Sequence, residues 1–494
     1  MTALDRRTLL RASGLVSLAA LTGCSTSHQA HSTHPSMGPV PSASPLARKP
    51  GQGLTTATLR PSAGVVDLGG VEVQTWSYDA EVPGSAIRAT AGDLVRVQVH
   101  NQLPDTTSVH WHGIRLREVA DGVPGVTQDP IPVGGRYTYE FVAPDPGTYF
   151  FHPHSGLQLD RGLYAPLIID DPREPGEYDD EWVVVLDDWL DGTGTTPDQV
   201  LTKLIKDGGS AGGHDMSGMG GMEGMDHSGG MGHMGEPPFG PGGDVTYPHY
   251  LINGRVPTAP RTFRSRSGRR VRLRVINAGS DTIFRLSLAG HRLTVTHTDG
   301  WPVRPTVATA VYLGMGERID ALVTLGSGAF ELLAQAFGKE GSARAVVRTA
   351  RGAVQPAGQP NSVLLTSQLK PADGATLPSR PVDDEQALDL NGSMRPYRWG
   401  INGAVFGEND PIRVNRGQRV RLVIRNMTMM THPLHLHGHT FALSDSGVRK
   451  DTVLVPPMGR QDIEFDADNV GRWMVHCHNA YHAEAGMMAL LSYR

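Results

Sequence analysis

A ten-residue pattern that occurs three times restricts the folds open to this 494-residue chain. Each copy begins with Gly, alternates polar and apolar residues, and ends in Asn; the copies span 92–101, 268–277 and 417–426. Alternation with a period of two is typical of a strand with one buried face. Short Val-, Ile-, Leu- and Tyr-rich runs broken by Gly and Pro fill most of the remaining chain. The pattern therefore predicts an all-β fold of three related β-sandwich domains.

Histidines occur at fixed offsets in the first and third copies of this pattern. Nine and eleven residues past the Asn, these copies carry His110, His112, His435 and His437. Five and seven residues past a later Gly, they carry His152, His154, His476 and His478. In the middle copy the same offsets hold no histidine. Repeat symmetry therefore predicts a metal cluster shared by domains one and three, with the middle domain as a spacer.

Cys477 stands between two of these histidines and is followed by His482 and Met487. On a strand, successive side chains point to opposite faces, so His476 and His478 share one face and the thiolate takes the other. Two His, one Cys and a weak axial Met form the blue-copper electron-transfer site. The alternative interpretation is a buried free cysteine beside unrelated histidines.

The order and spacing of four clusters carry a family resemblance: 110–112, 152–154, 432–437 and 476–487. The chain resembles the three-domain bacterial multicopper oxidases of the laccase-like, copper-resistance and cuprous-oxidase type. Its amino terminus is similar to that of the actinobacterial lipoprotein members. The resemblance covers nearly the whole mature chain and implies three cupredoxin-like Greek-key β-sandwiches.

The resemblance also implies four copper ions with assigned ligands. A type 1 copper would be held by His432, Cys477, His482 and Met487. A type 2 copper would be held by His110 and His435, and two type 3 coppers by His112, His152 and His478 and by His154, His437 and His476. Asp121 and Glu484 are candidate proton-relay acids, with a purely structural role as the alternative.

Two groups of methionines indicate which substrate supplies electrons to the copper ions. Residues 208–243 are almost all Gly, Met and His, and include Met216, Met219, Met222, Met225, Met231 and Met234. Thioethers are soft ligands that select Cu(I). A second group precedes the type 1 histidine, namely Met427, Met429 and Met430. Related cuprous oxidases place a substrate-copper ligand at the position of Met430, but their acidic ligand is replaced by Thr428, so the substrate site stays open.

Three functions follow from these features. The first is oxidation of Cu(I) to Cu(II) for copper detoxification, coupled to four-electron reduction of dioxygen to water. The second is a general laccase that oxidises phenols or aromatic amines. The third, a copper-binding protein without activity, is disfavoured because every histidine of the pattern, Cys477 and Met487 are present.

The amino terminus predicts export and anchoring. Residues 5–11 resemble a twin-arginine signal, and an apolar run over 14–21 is too short to span a bilayer. Leu21-Thr22-Gly23-Cys24 resembles a lipobox, which predicts lipidation of Cys24 and attachment to the outer face of the cytoplasmic membrane. An ordinary signal peptide with an incidental cysteine is the alternative.

Composition and length complete the expected organisation. The chain has two cysteines, both already assigned, so no disulfide is expected, and its net charge of −5 disfavours a nucleic-acid partner. We expect a monomer divided into a signal peptide (1–23), a flexible tether (24–50), domain one (51–172), domain two (173–352), a linker (353–385) and domain three (386–494).

Overall fold

The computed structural model describes residues 39–42, 44–174, 176–208 and 239–494. Almost all regular structure in these ranges is β-strand. None of the helices found there is long and apolar enough to cross a membrane. The signal peptide, Cys24 and the insertion methionines predicted from sequence lie outside the described residues, at 1–23, 24 and 209–238.

The first domain contains nine strands in three sheets. These are β1 (Leu54–Leu59), β2 (Pro61–Asp67), β3 (Glu72–Tyr78), β4 (Ile87–Thr90), β5 (Leu94–His100), β6 (His110–His112), β7 (Arg136–Val142), β8 (Gly147–His152) and β9 (Ala165–Asp170). The strand orders are β1-β5-β7, β2-β3 and β4-β9-β8-β6. Two 3₁₀ turns, Glu118–Ala120 and Leu159–Arg161, lie in its loops.

The described residues of the second domain form two large sheets and one α-helix. Its elements are β10 (Asp180–Trp189), α1 (Pro197–Asp207), β11 (His249–Ile252), β12 (Arg261–Arg264), β13 (Arg270–Asn277), β14 (Phe284–Leu288), β15 (Leu293–Thr298), β16 (Trp301–Ala308), β17 (Ala310–Leu313), β18 (Arg318–Thr324), β19 (Ala329–Ala336), β20 (Ser342–Arg348), β21 (Val354–Gln355) and β22 (Val363–Leu365). The orders are β11-β10-β13-β18-β15-β16 and β12-β20-β19-β14-β17-β22, with β21 beside β19.

The third domain repeats this two-sheet architecture. After a 3₁₀ turn (Thr366–Gln368) come β23 (Asp384–Met394), β24 (Tyr397–Ile401), β25 (Ile412–Val414), β26 (Arg419–Asn426), β27 (His432–Leu436), β28 (Phe441–Leu443), β29 (Arg449–Lys450), β30 (Thr452–Val455), β31 (Arg460–Asp466), β32 (Arg472–Cys477), α2 (Ala480–Glu484) and β33 (Met488–Tyr493). The orders are β24-β23-β26-β31-β28-β29 and β25-β33-β32-β27-β30. The predicted all-β class and repeated sandwiches are confirmed.

The repeated asparagine has the same structural role in each domain. The Asn277 amide donates to the carbonyl oxygens of Thr282 (2.9 Å) and Leu313 (3.0 Å) and its Oδ1 accepts from the Gly279 amide (2.9 Å). Asn101 and Asn426 make equivalent bonds from the ends of β5 and β26. The side chain thus joins the end of a central strand to the loop that follows and to a distant segment.

Strand register brings the predicted histidines side by side. In domain one, β6 and β8 are antiparallel and pair His110 with His152. In domain three, β27 and β32 pair His435 with His476 in the equivalent position. Directly opposed residues of antiparallel strands have Cβ atoms roughly 4.5–5.5 Å apart. Each domain therefore presents its histidines as a compact pair on neighbouring strands.

Two predicted connections are more firmly attached than expected. At the described end of the tether, the Leu46 amide donates to Glu140 Oε2 at 2.7 Å. Arg117 donates to the Ser44 carbonyl at 2.7 Å. In the linker, β22 pairs in parallel with β17 and so extends a domain-two sheet. Side chains of domain one thus bond to the backbone of the tether, and a domain-two strand pairs with the linker, so neither described segment is free.

Replacing the repeat asparagine should destabilise the fold without touching the histidine cluster. Asn277→Ala leaves two buried carbonyls and one amide unpaired, and each such group costs about 1–3 kcal/mol. We expect the free energy of unfolding of domain two to fall by at least about 2 kcal/mol, measured by denaturant titration. Asn361→Ala, at an exposed position, is the control, and equal midpoints for the two variants would contradict this role.

Candidate metal centre

Cys477, at the end of β32, lies between two imidazoles. Its Sγ is 3.6 Å from His432 Nδ1 and 3.7 Å from His482 Nδ1, and the two nitrogens are 3.0 Å apart. Asn479 Oδ1 accepts from the His482 amide at 3.2 Å and so fixes the start of α2. Met487 is fully buried, and its carbonyl accepts from the Cys477 amide at 3.0 Å. The predicted thiolate and two histidines therefore converge.

The Nε2 atoms of these two imidazoles contact polar side chains on the side away from the Cys477 thiol. His432 Nε2 lies 2.7 Å from Thr428 Oγ1, and His482 Nε2 lies 2.9 Å from Asp244 Oδ2. The Trp399 ring packs on the His482 ring, with centroids 4.1 Å apart. Partners of this kind orient metal-binding imidazoles and fix their tautomers. Both Nδ1 atoms are thereby directed at the thiol.

The two imidazoles differ in proton affinity. Burial lowers the pKa of His432 well below its ordinary value. Burial also opposes a charge on His482, but Asp244 and Cys477 outweigh it and raise its pKa to about 10. The contact with Asp244 therefore favours a proton on His482 at neutral pH. A cation must displace this proton, so its binding weakens as the pH falls.

Eight further histidines meet between domains one and three. The rings of His110 and His437 stack at 3.8 Å, and those of His112 and His435 stack at 3.8 Å. Each stack joins one histidine from each domain. Exchanging the repeat-equivalent positions converts one stack into the other. The cluster therefore has the approximate two-fold symmetry that the sequence repeat predicts.

The remaining members complete the cluster. His476 Nε2 is 3.1 Å from His437 Nε2 and 3.5 Å from His154 Nε2. The His478 ring lies 4.8 Å from the His112 ring and 5.2 Å from the His152 ring, centroid to centroid. Ligand atoms within 4.8 Å of one another also unite His110 with His435 and His437, and His110 with His112 and His152. The structure thus brings all eight predicted histidines together, while their division among individual ions stays a prediction.

The chemistry of this donor set fits bound metal ions. Within the described cluster, the ring nitrogens that are buried without a hydrogen-bond partner are His110 Nε2, His112 Nδ1, His152 Nε2, His435 Nε2 and both nitrogens of His478. An unpaired buried polar atom costs about 1–3 kcal/mol. On His110, His152 and His435 the other nitrogen lies 2.8–2.9 Å from a backbone carbonyl oxygen, which leaves the Nε2 lone pair for a metal.

Protonation of the cluster is also suppressed. Burial, followed by the neighbouring His110, lowers the pKa of His152 to about 3. Burial and the adjacent imidazoles lower the pKa values of His112, His435, His437 and His478 well below the ordinary value. These rings are therefore neutral at physiological pH, as copper ligands must be.

Asp121, predicted as a proton-relay acid, contacts both sides of the cluster. Its carbonyl oxygen is 2.8 Å from His110 Nδ1, and its Oδ2 is 3.0 Å from His437 Nδ1. The side chain is 1% exposed. This position is compatible with proton transfer, and that role remains a prediction. Glu484, the second candidate, ends α2 and is half-buried.

A second aspartate, Asp451, was missed by sequence reasoning. Its carbonyl oxygen is 2.8 Å from His435 Nδ1, and its Oδ1 is 3.2 Å from His112 Nε2. It is the two-fold counterpart of Asp121. Asp121 follows its histidine by 11 residues, whereas Asp451 follows by 16. The constant offsets that identified the histidines therefore could not identify this acid.

The middle domain is more than the spacer that the sequence predicted. It holds no histidine of the two groups, but two of its side chains contact them or their partners. Asp244 contacts His482. The Arg318 guanidinium forms two 2.6 Å contacts with the Asp451 carboxylate. Asp244 directly follows the Met-rich insertion, whose composition gives no indication of a buried acid. Both residues act on ligands that other domains supply.

Comparisons with known proteins agree with this geometry. Three family profiles described as multicopper oxidase match residues 62–174, 180–353 and 379–494. The chain is 45% identical over 457 residues to Multicopper oxidase MmcO of Mycobacterium tuberculosis, covering 90% of this chain and 89% of that protein. It is 30% identical over 530 residues to a Copper resistance protein A homolog of Pseudomonas syringae pv. tomato, covering 85% and 89%.

A solved structure leads to the same conclusion. The crystal structure of a multi-copper oxidase from Pseudomonas thermotolerans matches with a TM-score of 0.69 and 26% identity, covering 90% of this chain and all 100% of that one. A buried thiol between two imidazoles, eight buried histidines at a two-domain interface and profile matches across three domains thus agree: the chain belongs to the multicopper oxidase family.

Proposed function

We propose that this oxidase converts Cu(I) to Cu(II) in defence against copper. Four Cu(I) ions supply four electrons which, with four protons, reduce one dioxygen to two waters. Bound copper would supply the one-electron oxidation and the four-electron reduction. Phenols and aromatic amines, the substrates of a general laccase, are the alternative reductants.

In this proposal four copper ions occupy the two histidine groups. One type 1 ion is held by His432, Cys477, His482 and Met487. One type 2 ion is held by His110 and His435, and two type 3 ions by His112, His152 and His478 and by His154, His437 and His476. The thiolate-imidazole-thioether set is typical of blue copper, and neutral imidazoles suit the other ions.

The choice of Cu(I) as the substrate rests on a group of exposed methionines near the type 1 site. Met427 is 54% exposed and Met429 is 69% exposed, although large apolar side chains usually avoid water. The structure adds Met458, which is 61% exposed and whose amide donates to the Thr428 carbonyl at 3.0 Å. The Thr428 hydroxyl in turn lies against His432. Exposed thioethers are therefore carried on the two loops that the Met458–Thr428 bond joins next to a type 1 ligand, while Met430 is buried.

The described residues that flank the Met-rich insertion support the same choice. Near the end of the insertion, the Phe239 carbonyl accepts from Thr431 Oγ1 at 2.7 Å. At its first residue, the Gly208 carbonyl accepts from Arg395 Nε at 3.1 Å, on the hairpin that carries Trp399. Both flanks are therefore bound to the domain that holds the type 1 ligands. We propose that the insertion methionines, which lie outside the described residues, supply Cu(I) to this domain.

The chain would act outside the cytoplasm. We propose that it is exported folded by the twin-arginine route, anchored by lipidated Cys24 to the outer face of the cytoplasmic membrane, and monomeric. Two acyl chains suffice for stable anchoring, because each buried methylene contributes roughly 0.8 kcal/mol. The signal sequence and lipobox support this location.

Removing exposed thioethers should impair Cu(I) oxidation selectively. In the double variant Met429→Ser/Met458→Asn, the asparagine suits the left-handed backbone of residue 458, where φ is 51°. We expect kcat/KM for Cu(I) to fall roughly tenfold, or about 1.4 kcal/mol of transition-state stabilisation, while kcat/KM for a bulky phenol is unchanged. Val133→Ser, at an equally exposed apolar residue, is the control. Undiminished Cu(I) oxidation would favour the general laccase.

Cys477→Ser should abolish the blue colour and nearly all oxidase activity of the copper-loaded protein, because a hydroxyl cannot replace the thiolate. The visible absorption spectrum and dioxygen consumption measure these effects. Circular dichroism should show an unchanged fold. Met488→Leu, in a separate buried cluster, is the matched control, and a blue, active serine variant would disprove the type 1 assignment.

Cys24→Ala should release the protein from the membrane fraction or stall its processing, because no acyl chain can be attached. Immunoblots of membrane and soluble fractions, with Ser27→Ala as the control, measure the distribution. A Cys24→Ala protein that is correctly cleaved and still membrane-bound would show that the anchor lies elsewhere.

A further inference from the structure

The Arg318 guanidinium forms a two-point contact with the acid behind the histidine cluster. Its Nη1 is 2.6 Å from Asp451 Oδ1, and its Nη2 is 2.6 Å from Asp451 Oδ2. Both side chains are 0% exposed. Two parallel charge-assisted hydrogen bonds fix the plane of a carboxylate as well as its position. Asp451 can therefore rotate very little.

We propose that Arg318 is a positioning residue for the type 2 copper. Through Asp451 it fixes His435, a proposed type 2 ligand from domain three, and the His112 ring stacked on it from domain one. This inference rests on the copper assignment proposed above. It gives the middle domain, which supplies no ligand, a specific part in building the copper centre.

The contacts lie on the side of the two rings away from the metal positions. Thr452 Oγ1 is 3.1 Å from both His112 Nε2 and His435 Nδ1, and Asp451 Oδ1 is 3.2 Å from the former. The nitrogens left without partners, His112 Nδ1 and His435 Nε2, are the opposite ones. Arg318 contacts both Asp451 oxygens, and Asp451 Oδ1 also contacts His112 Nε2, so in this proposal the acid serves to orient the rings.

Arg318 is itself fixed by two domains. Its Nε donates to the Thr148 carbonyl of domain one at 3.1 Å, and its Nη1 donates to the Gly316 carbonyl of domain two at 3.0 Å. Its amide donates to Asp299 Oδ1 at 2.9 Å. Asp299 Oδ2 in turn lies 2.9 Å from Lys450 Nζ, next to Asp451. The guanidinium therefore connects all three domains directly behind the cluster.

The two-fold counterpart of Asp451 is held differently. In the part of the chain that the structure describes, the ion pairs of Asp121 are with His110 and His437. The Asp451 side of the cluster additionally has a permanent cation from domain two. The symmetry of the histidines is therefore broken by their surroundings, and His435 belongs to the rigidly held side.

The test compares three variants of the full-length, copper-loaded protein. Arg318→Met removes the guanidinium. Arg318→Lys keeps the positive charge but cannot form the two-point contact with Asp451, and Arg272→Met is the control. Arg272 is another buried domain-two arginine, and its described ion pairs are with Asp320 and Glu174 rather than with an acid that contacts a ligand histidine. Copper content, the type 2 signal in electron paramagnetic resonance and the blue absorption are measured on each.

We expect Arg318→Met to hold type 2 copper roughly 10- to 100-fold more weakly, as for other residues that orient metal ligands, with the blue absorption retained. Arg318→Lys should recover part of the type 2 signal, and Arg272→Met should match the parent. A full type 2 signal in Arg318→Met would overturn the proposal. The proposal would also be overturned if Arg318→Met and Arg318→Lys both lost the type 2 signal and the blue absorption together. That result would indicate that Arg318 has only a general packing role. A parent protein without a type 2 signal would instead refute the copper assignment, and this inference with it.

Discussion

The burial of eight imidazoles between two domains is the constraint on which the rest of this structure depends. Six ring nitrogens on five of the described rings have no hydrogen-bond partner. Such groups are costly in a protein interior unless a metal takes them. The interface is therefore poorly satisfied without copper, and copper binding should stabilise the contact between domains one and three as well as supply the chemistry.

Local alternation and constant offsets were sufficient to predict the fold and the histidines. The pattern ending in Asn101, Asn277 and Asn426 recurs because each asparagine closes the same connection through both ends of its amide. Since the segments between asparagine and histidine keep their lengths, repeat-equivalent ligands stay in register. Symmetry then required the cluster to lie where the two histidine-bearing domains meet.

The residues that sequence reasoning missed are held by contacts that follow no constant spacing along the chain. Asp451 lies in a connection five residues longer than that of Asp121. Asp244 acts on His482 across 238 residues of sequence, and Arg318 reaches Asp451 across 133. Met458 was missed because its relation to Thr428 is a loop-to-loop backbone bond. None of these relations has a period or spacing that a single sequence displays.

The middle domain places opposite charges behind the two copper positions. Its anion, Asp244, raises the proton affinity of His482, whereas its cation, Arg318, neutralises the acid behind His435. Breaking a buried ion pair by removing one partner costs roughly 3–5 kcal/mol, because an uncompensated charge remains. Removing Asp244 or Arg318 alone would leave its buried partner without this contact. A domain that holds no histidine of the two groups therefore supplies a charged partner behind each of them.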